Sequence, residues 1–94
     1  MENFSFPPDA VLLLRGRYST VNAEKRDLMR ELQKRTSRII DQSRVLLNYD
    51  ENAGESIALY QAMVSEVKDT GACLARLTEV QAMLDELKPG AWPK

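Results

Sequence analysis

Side chains capable of covalent or metal chemistry are few in this sequence. Cys73 is the only cysteine, and there is no histidine. A cysteine nucleophile needs a neighbouring base, usually histidine, to form its thiolate. One cysteine and no histidine also exclude an internal disulfide and a zinc site of the Cys/His type. Because Cys73 is followed by Leu74 and Leu77 at helical spacing, we interpret it as a small core residue.

Carboxylates occur as two adjacent pairs, Asp50-Glu51 and Asp85-Glu86. Neighbouring residues of a helix point about 100° apart, so neither pair suits acid/base catalysis at one site. The acidic segment 50–56 lacks the alternating ligand spacing of a calcium loop, and no glycine-rich phosphate motif occurs. We therefore expect no catalytic residue, no cofactor and no metal ion, and we predict that the protein is not an enzyme.

The composition favours helices in a single domain. Of 94 residues, 44% are hydrophobic but only 6% are aromatic, so the apolar content is mainly Leu, Val, Ala and Met. The longest aliphatic run is Val11–Leu14, far short of the roughly 20 residues of a membrane span. The first 14 residues do not resemble a secretory signal. We expect a cytoplasmic or nuclear protein without a transmembrane segment.

A heptad pattern predicts the first long helix. No proline or glycine occurs from residue 20 to residue 48, and seam residues recur with spacings of four and three. Three seam positions are polar (Lys25, Arg35 and Gln42), which favours an unlike neighbour over a simple homodimeric coiled coil. The seam consists of Leu14, Tyr18, Val21, Lys25, Leu28, Leu32, Arg35, Ile39, Gln42, Leu46 and Tyr49.

A second long helix is predicted over residues 53–87, after a turn at 50–54. Asn52 and Glu55 have the spacing of a capping box, and Lys88-Pro89-Gly90 should end the helix. Its apolar positions cover a face wider than one two-stranded seam needs, which indicates more than one neighbour. They are Ile57, Tyr60, Met63, Val64, Val67, Leu74, Leu77, Val80, Leu84 and Leu87. Small residues around Gly71 indicate a close helix contact there.

The predicted fold is all-α: an antiparallel hairpin of two long helices with coiled-coil-like packing, or part of an intermolecular helical bundle. Pro7-Pro8-Asp9 predicts the start of a short N-terminal helix over about 8–15, with a bend in 15–21 near Gly16. The predicted organisation is a flexible tail at 1–7, a helical domain at 8–88 and a tail at 89–94.

Charge is divided between the two long helices. Residues 15–44 carry nine bases and four acids, whereas residues 50–88 carry three bases and eight acids. Opposite balances of +5 and −5 favour a basic helix that pairs with its acidic neighbour. The alternative is a nucleic-acid or acidic-membrane binding module that uses the basic helix 15–44. With a net charge of −1, we do not expect nucleic acid as the main partner.

We predict a non-catalytic protein-interaction subunit, an adaptor or scaffold component of a multi-protein complex. Its partner would be a different helical chain or, in a homodimer, a second copy. A small chaperone that shields a partner helix is the alternative within the same class. The predicted partner-binding residues are the apolar side chains of both helices and the only tryptophan: Val11, Leu12, Leu14, Tyr18, Val21, Leu28, Leu32, Ile39, Leu46, Ile57, Tyr60, Val67, Leu74, Leu77, Leu84 and Trp92.

Overall fold

The computed structural model describes residues 8–47 and 53–93, which form an antiparallel helical hairpin. Helix α1 spans Asp9–Leu47 and helix α2 spans Ala53–Ala91, each 39 residues and therefore about 58 Å long. Contacts run from Arg15 with Ala91 at one end to Arg35 with Glu66 farther along. The predicted all-α hairpin is confirmed. The predicted turn and capping box at 50–55 involve residues outside the described ranges.

α1 begins where the proline pair predicts. The Pro8 carbonyl accepts hydrogen bonds from the backbone N–H groups of Val11 and Leu12, and Asp9 places an acid in the first turn. The separate short helix over 8–15 and the bend at 15–21 are wrong, because α1 is continuous through Gly16. Glycine weakens a helix by only about 1 kcal/mol. The packing of the residues before and after Gly16 against α2 offsets this cost.

α2 ends later than predicted. It continues through Lys88-Pro89-Gly90 to Ala91, and the Trp92 N–H still donates to the Lys88 carbonyl at 3.0 Å. A proline in the last turn removes one backbone hydrogen bond and leaves the rest of the helix intact. The added turn packs on the start of α1, where Ala91 is fully buried and a Cβ on Gly90 would lie 2.8 Å from Leu14 Cδ1.

The seam predicted for α1 is confirmed at the ten positions from Leu14 to Leu46, all of which are buried or half-buried; Tyr49 lies outside the described ranges. The seam of α2 is an equally regular heptad series but differs from the predicted apolar positions. It consists of Ser56, Leu59, Met63, Glu66, Thr70, Cys73, Leu77, Val80, Leu84, Leu87 and Ala91. Half of the apolar positions predicted for α2 therefore do not face α1.

The buried core occupies only the half of the hairpin away from the turn, formed by residues 9–28 and 73–92 and called here the free-end half. Val21, Val80 and Leu84 form its centre, and Tyr18, Leu28, Met83 and Leu87 pack around them. Residues 29–47 and 55–72, the turn half, contain no fully buried side chain among those described. The two halves therefore share one seam but differ in how well they exclude water.

Candidate protein-interaction surface

Charged residues that each precede a seam position lie along one side of the hairpin, and most of them take part in ion pairs between the helices. The Arg76 guanidinium donates to both carboxylate oxygens of Glu24, at 2.6 and 2.9 Å, and also contacts Glu79 at 3.0 Å. The Glu24 pair lowers the pKa of that carboxyl and raises the pKa of Arg76, mainly through the side-chain hydrogen bonds. We call this side, with Glu24, Glu31, Arg38, Asp69 and Arg76, the ionic face.

Arg35, a polar seam residue, is matched by acids of both helices. Its guanidinium lies 2.8 Å from Glu31 of α1, and 3.2 and 3.5 Å from Glu66 and Asp69 of α2. The Glu31 hydrogen bond is the main cause that raises the pKa of Arg35. Arg38 also contacts Glu66, at 3.8 Å. The prediction that the basic helix pairs with the acidic helix is confirmed for these residues.

The opposite side of the hairpin is an apolar face, defined by eight exposed residues that each follow a seam position. Met29 and Leu74 line one shallow groove between the helices, and heptad spacing places the other members along the same side. The α2 members are 43–60% exposed, although leucine, valine and isoleucine side chains are usually buried. The apolar face consists of Met29, Ile40, Leu47, Ile57, Tyr60, Val64, Val67 and Leu74.

Trp92 is held by α1 at the free end. Its ring makes an edge-to-face contact with Tyr18, with ring centroids 4.9 Å apart, and the Arg15 guanidinium lies 5.6 Å from the ring centroid. The Arg15 Nε also donates to the Ala91 carbonyl at 2.7 Å. Since cations stabilise helix C-termini, this contact helps to hold the last turn of α2. Trp92 nevertheless remains 47% exposed.

The predicted partner-binding residues divide into three groups. Val21 and Leu84 are buried inside the hairpin. Half-buried residues are Val11, Leu14, Tyr18, Leu28, Leu32, Ile39, Leu46 and Leu77. Exposed residues are Leu12, Ile57, Tyr60, Val67, Leu74 and Trp92. Four members of the third group, those from Ile57 to Leu74, belong to the apolar face. The seam residues instead contact the other helix of the same chain.

Sequence reasoning did not select four members of the apolar face as partner-binding residues: Met29, Ile40, Leu47 and Val64. A signal for them is present in the sequence. Each follows a seam position by one residue. The positions that follow the seam form a second stripe at heptad spacing, and apolar residues in this stripe indicate a second contact surface. On α2 that stripe also contains Gly71, where an added Cβ would meet nothing within 4 Å. The close contact predicted at Gly71 is therefore not made within the hairpin.

Cys73 is buried in the seam, and its thiol donates to the Leu28 carbonyl at 3.4 Å, which confirms its interpretation as a core residue. Among the described residues, no three His, Cys, Asp or Glu side chains cluster as a metal site. Neither described helix has a segment long and apolar enough to cross a membrane. The sequence matches no protein-family model and no curated protein, and the hairpin matches no solved structure.

Proposed function

We propose that this protein is a non-catalytic protein-interaction subunit that adds its apolar face to helices of a partner chain, so that a larger helical bundle forms. The observation that carries this proposal is the division of the hairpin into an ionic face and an apolar face. On the apolar face, α2 contributes five large side chains that are all exposed: Ile57, Tyr60, Val64, Val67 and Leu74.

Contiguous apolar surface of this kind marks interaction sites in soluble proteins, because water contact with it is unfavourable. The hairpin cannot cover the face itself, since α1 already contacts the neighbouring seam of α2. A helix laid on the apolar face would meet side chains at heptad spacing, the arrangement into which helices pack. The ionic face would remain in water and keep the assembled bundle hydrated.

The hairpin itself satisfies two polar seam residues that favoured an unlike partner. Lys25 Nζ donates to Gln81 Oε1 at 2.7 Å, and Arg35 is matched by Glu66 and Asp69. The unlike neighbour of α1 is therefore α2 of the same chain. A partner on the apolar face needs no charged group to match these residues, only aliphatic and aromatic side chains.

Binding of nucleic acid or acidic lipid is the weaker alternative. Arg30, Lys34 and Arg38 line a shallow cleft on the outer side of α1, which could receive phosphate groups. Two of these bases contact acids, because Arg30 pairs with Asp27 at 3.0 Å and Arg38 lies 3.8 Å from Glu66. The two functions differ in salt response: phosphate binding weakens steeply as salt rises, whereas an apolar interface persists.

The proposal is tested by affinity purification of the tagged full chain, expressed together with an untagged copy. The test variant Ile57→Lys/Val67→Glu places two opposite charges on the apolar face, at positions 10 residues apart on α2. The control variant Asp27→Lys/Arg30→Glu exchanges two exposed charges outside that face, whose side chains are 73% and 70% exposed. Both variants keep the net charge, and circular dichroism verifies that both remain helical.

We expect the wild type and the control variant to recover at least one protein, and the untagged copy counts as one. The test variant should recover none. The recovered complex should persist at 0.5 M salt, where the electrostatic screening length is about 4 Å instead of about 10 Å at 0.1 M. Equal recovery with the test variant, or no specific recovery at all, would contradict the proposal. Recovery of nucleic acid that is lost at high salt would instead favour the basic surface of α1.

A further inference from the structure

We propose that the occupant of the apolar face is a second copy of this chain, with the two α2 helices antiparallel and Tyr60 of each copy packed on Gly71 of the other. This inference rests on the proposed function and adds the identity of the partner. It follows from the positions of the exposed residues along α2, which are symmetric about a twofold axis, and from the apolar residues of α1 on the same face.

The stripe on α2 is complementary to itself when it is reversed. Its members from residue 57 to residue 74 are spaced three and four residues apart, and a twofold axis between Ser65 and Glu66 exchanges their positions. Antiparallel helices then face each other in layers, as in antiparallel coiled coils. The three layers pair Ile57 with Leu74, Tyr60 with Gly71 and Val64 with Val67.

Gly71 is the most specific feature of the α2 stripe. Glycine destabilises the interior of a helix relative to alanine, and the hairpin offers no compensation, because a Cβ at Gly71 would meet no atom within 4 Å. Tyr60 is the largest side chain of the stripe and is 60% exposed. A tyrosine ring opposite a glycine of the second copy fills the space that a side chain would otherwise occupy.

Two of the three apolar-face residues of α1 show a similar symmetry, whereas the third, Leu47, has the polar Asn22 at the corresponding position. Met29 and Ile40 are exchanged by an axis between Lys34 and Arg35. Within one hairpin, the Arg35 guanidinium lies 3.2 Å from Glu66 and 3.5 Å from Asp69, so this point is within about one helical turn of the centre found on α2. A twofold axis in this region therefore brings α1 of both copies into the interface beside the stripes of α2.

Charge and area are compatible with this dimer. Antiparallel pairing places Arg26 near Ser43 and Lys68 near Gln61 of the second copy, so the interface contains no opposed like charges among these residues. The face is about 27 Å long and about 20 Å wide, from the rise and diameter of helices, which gives about 1,100 Å² buried in total. This area is at the low end of specific interfaces, so we expect a dissociation constant in the micromolar range, about 1–100 μM.

The test is the molar mass of the purified full chain by light scattering and sedimentation across a dilution series. We expect a dimer that dissociates into monomers. Gly71→Gln and Tyr60→Ala should each raise the dissociation constant at least about tenfold, because they block or empty the layer of Tyr60 and Gly71. Gly16→Gln is the matched control, since Gly16 is also an exposed helical glycine with nothing within 4 Å of an added Cβ; it should leave dimerisation unchanged.

Exchanging the two residues distinguishes the contact between Tyr60 and Gly71 from general effects of substitution on folding. Tyr60→Gly/Gly71→Tyr conserves composition and restores a tyrosine opposite a glycine, so it should dimerise more tightly than Tyr60→Ala. A monomer at about 200 μM, above the range expected for this interface area, or a dimer insensitive to Gly71→Gln, overturns the inference. If a different protein is still captured through the apolar face, the proposed function stands without the second copy; if none is captured, both fail.

Discussion

The two halves of the hairpin belong to the same heptad seam but differ in how well that seam is buried. In the free-end half the seam is apolar and contains the buried residues Val21, Val80 and Leu84, and Trp92 closes its end on Tyr18. In the turn half, by contrast, the α2 seam includes Ser56, Glu66 and Thr70, and the large apolar residues stand beside the seam in solvent.

This contrast indicates that the halves have different tasks. A two-helix seam excludes water only where both helices supply apolar side chains, as they do in the free-end half. The turn half relies on the Arg35 ion pairs for its register and leaves its apolar residues unpartnered. The free-end half therefore contributes the buried core, and the turn half carries most of the proposed binding surface.

The largest expected effect breaks the core of the free-end half. Leu84→Ala should lower the free energy of unfolding by about 2–3 kcal/mol, because Leu84 is 3% exposed and truncation leaves a cavity. Leu74→Ala is the matched control on the same helix, where the side chain is 48% exposed, and should change stability by less than about 1 kcal/mol. Urea unfolding at low protein concentration measures both, and equal losses would contradict the contrast between the buried seam and the exposed apolar face.

The second effect concerns the polar seam of the turn half. Arg35→Ala should lower the urea midpoint, because Glu66, whose side chain is 14% exposed, loses its closest cation. The double variant Arg35→Leu/Glu66→Leu should have a midpoint at or above that of the wild type, since two apolar residues replace a desolvated ion pair. Arg30→Ala, at an exposed pair within α1, serves as the control. A double variant less stable than Arg35→Ala would show that the pair itself stabilises this half.

A smaller effect on stability is expected from replacing Gly16 or Gly90, two helical glycines that differ in their surroundings. Gly16→Ala should raise the free energy of unfolding by about 0.5–1 kcal/mol, because helix propensity improves and the new Cβ meets nothing within 4 Å. Gly90→Ala should give no such gain, because its Cβ would lie 2.8 Å from Leu14 Cδ1 and Leu14 must move. Thermal unfolding at fixed concentration distinguishes them, and an equal gain at both positions would argue against the close contact at the free end.

The smallest effect is the pH dependence contributed by Glu24. Its pKa is lowered in the folded state, chiefly by the hydrogen bond from Arg76, so its stabilising contribution is present above the unfolded pKa and is lost as pH falls through the folded value. Glu24→Gln should therefore be less stable than the wild type at pH 7, and the difference should shrink below about pH 4. Urea unfolding at both pH values tests this, with Asp27→Asn as the control on the same helix.

Much of the fold could be predicted because it depends on local patterns. The uninterrupted heptads of α1 and the proline pair before Asp9 predicted a helix that starts and packs as observed. The breaks predicted at Gly16 and Pro89 were wrong for one reason: each weakens a helix by a limited amount, and packing between the chain ends supplies more. The contacts of Gly90 with Leu14 and of Arg15 with Ala91 join residues 76 positions apart, which local propensity does not register.

The candidate site was predicted less completely, because α2 carries two adjacent apolar stripes at the same heptad spacing. One contains Leu77, Val80 and Leu84, and the other contains Tyr60 and Val67. From the sequence alone, both suit a neighbouring helix, and the width of their combined face indicated only that more than one neighbour was needed. The sequence by itself determined two amphipathic helices of opposite charge that pair as a hairpin, since periodicity and charge balance are properties of each helix.

Only the tertiary structure decided which stripe of α2 faces α1. Pairing is cooperative along the whole length of the helices, so a single rotation of α2 must serve Val80 and Leu84 in the core and Glu66 beside Arg35 at once. The rotation that satisfies both turns Tyr60 and Val67 outward, together with Gly71. That choice converts an apolar stripe into an exposed surface, because two helices can share only one seam and the second stripe of α2 remains in solvent.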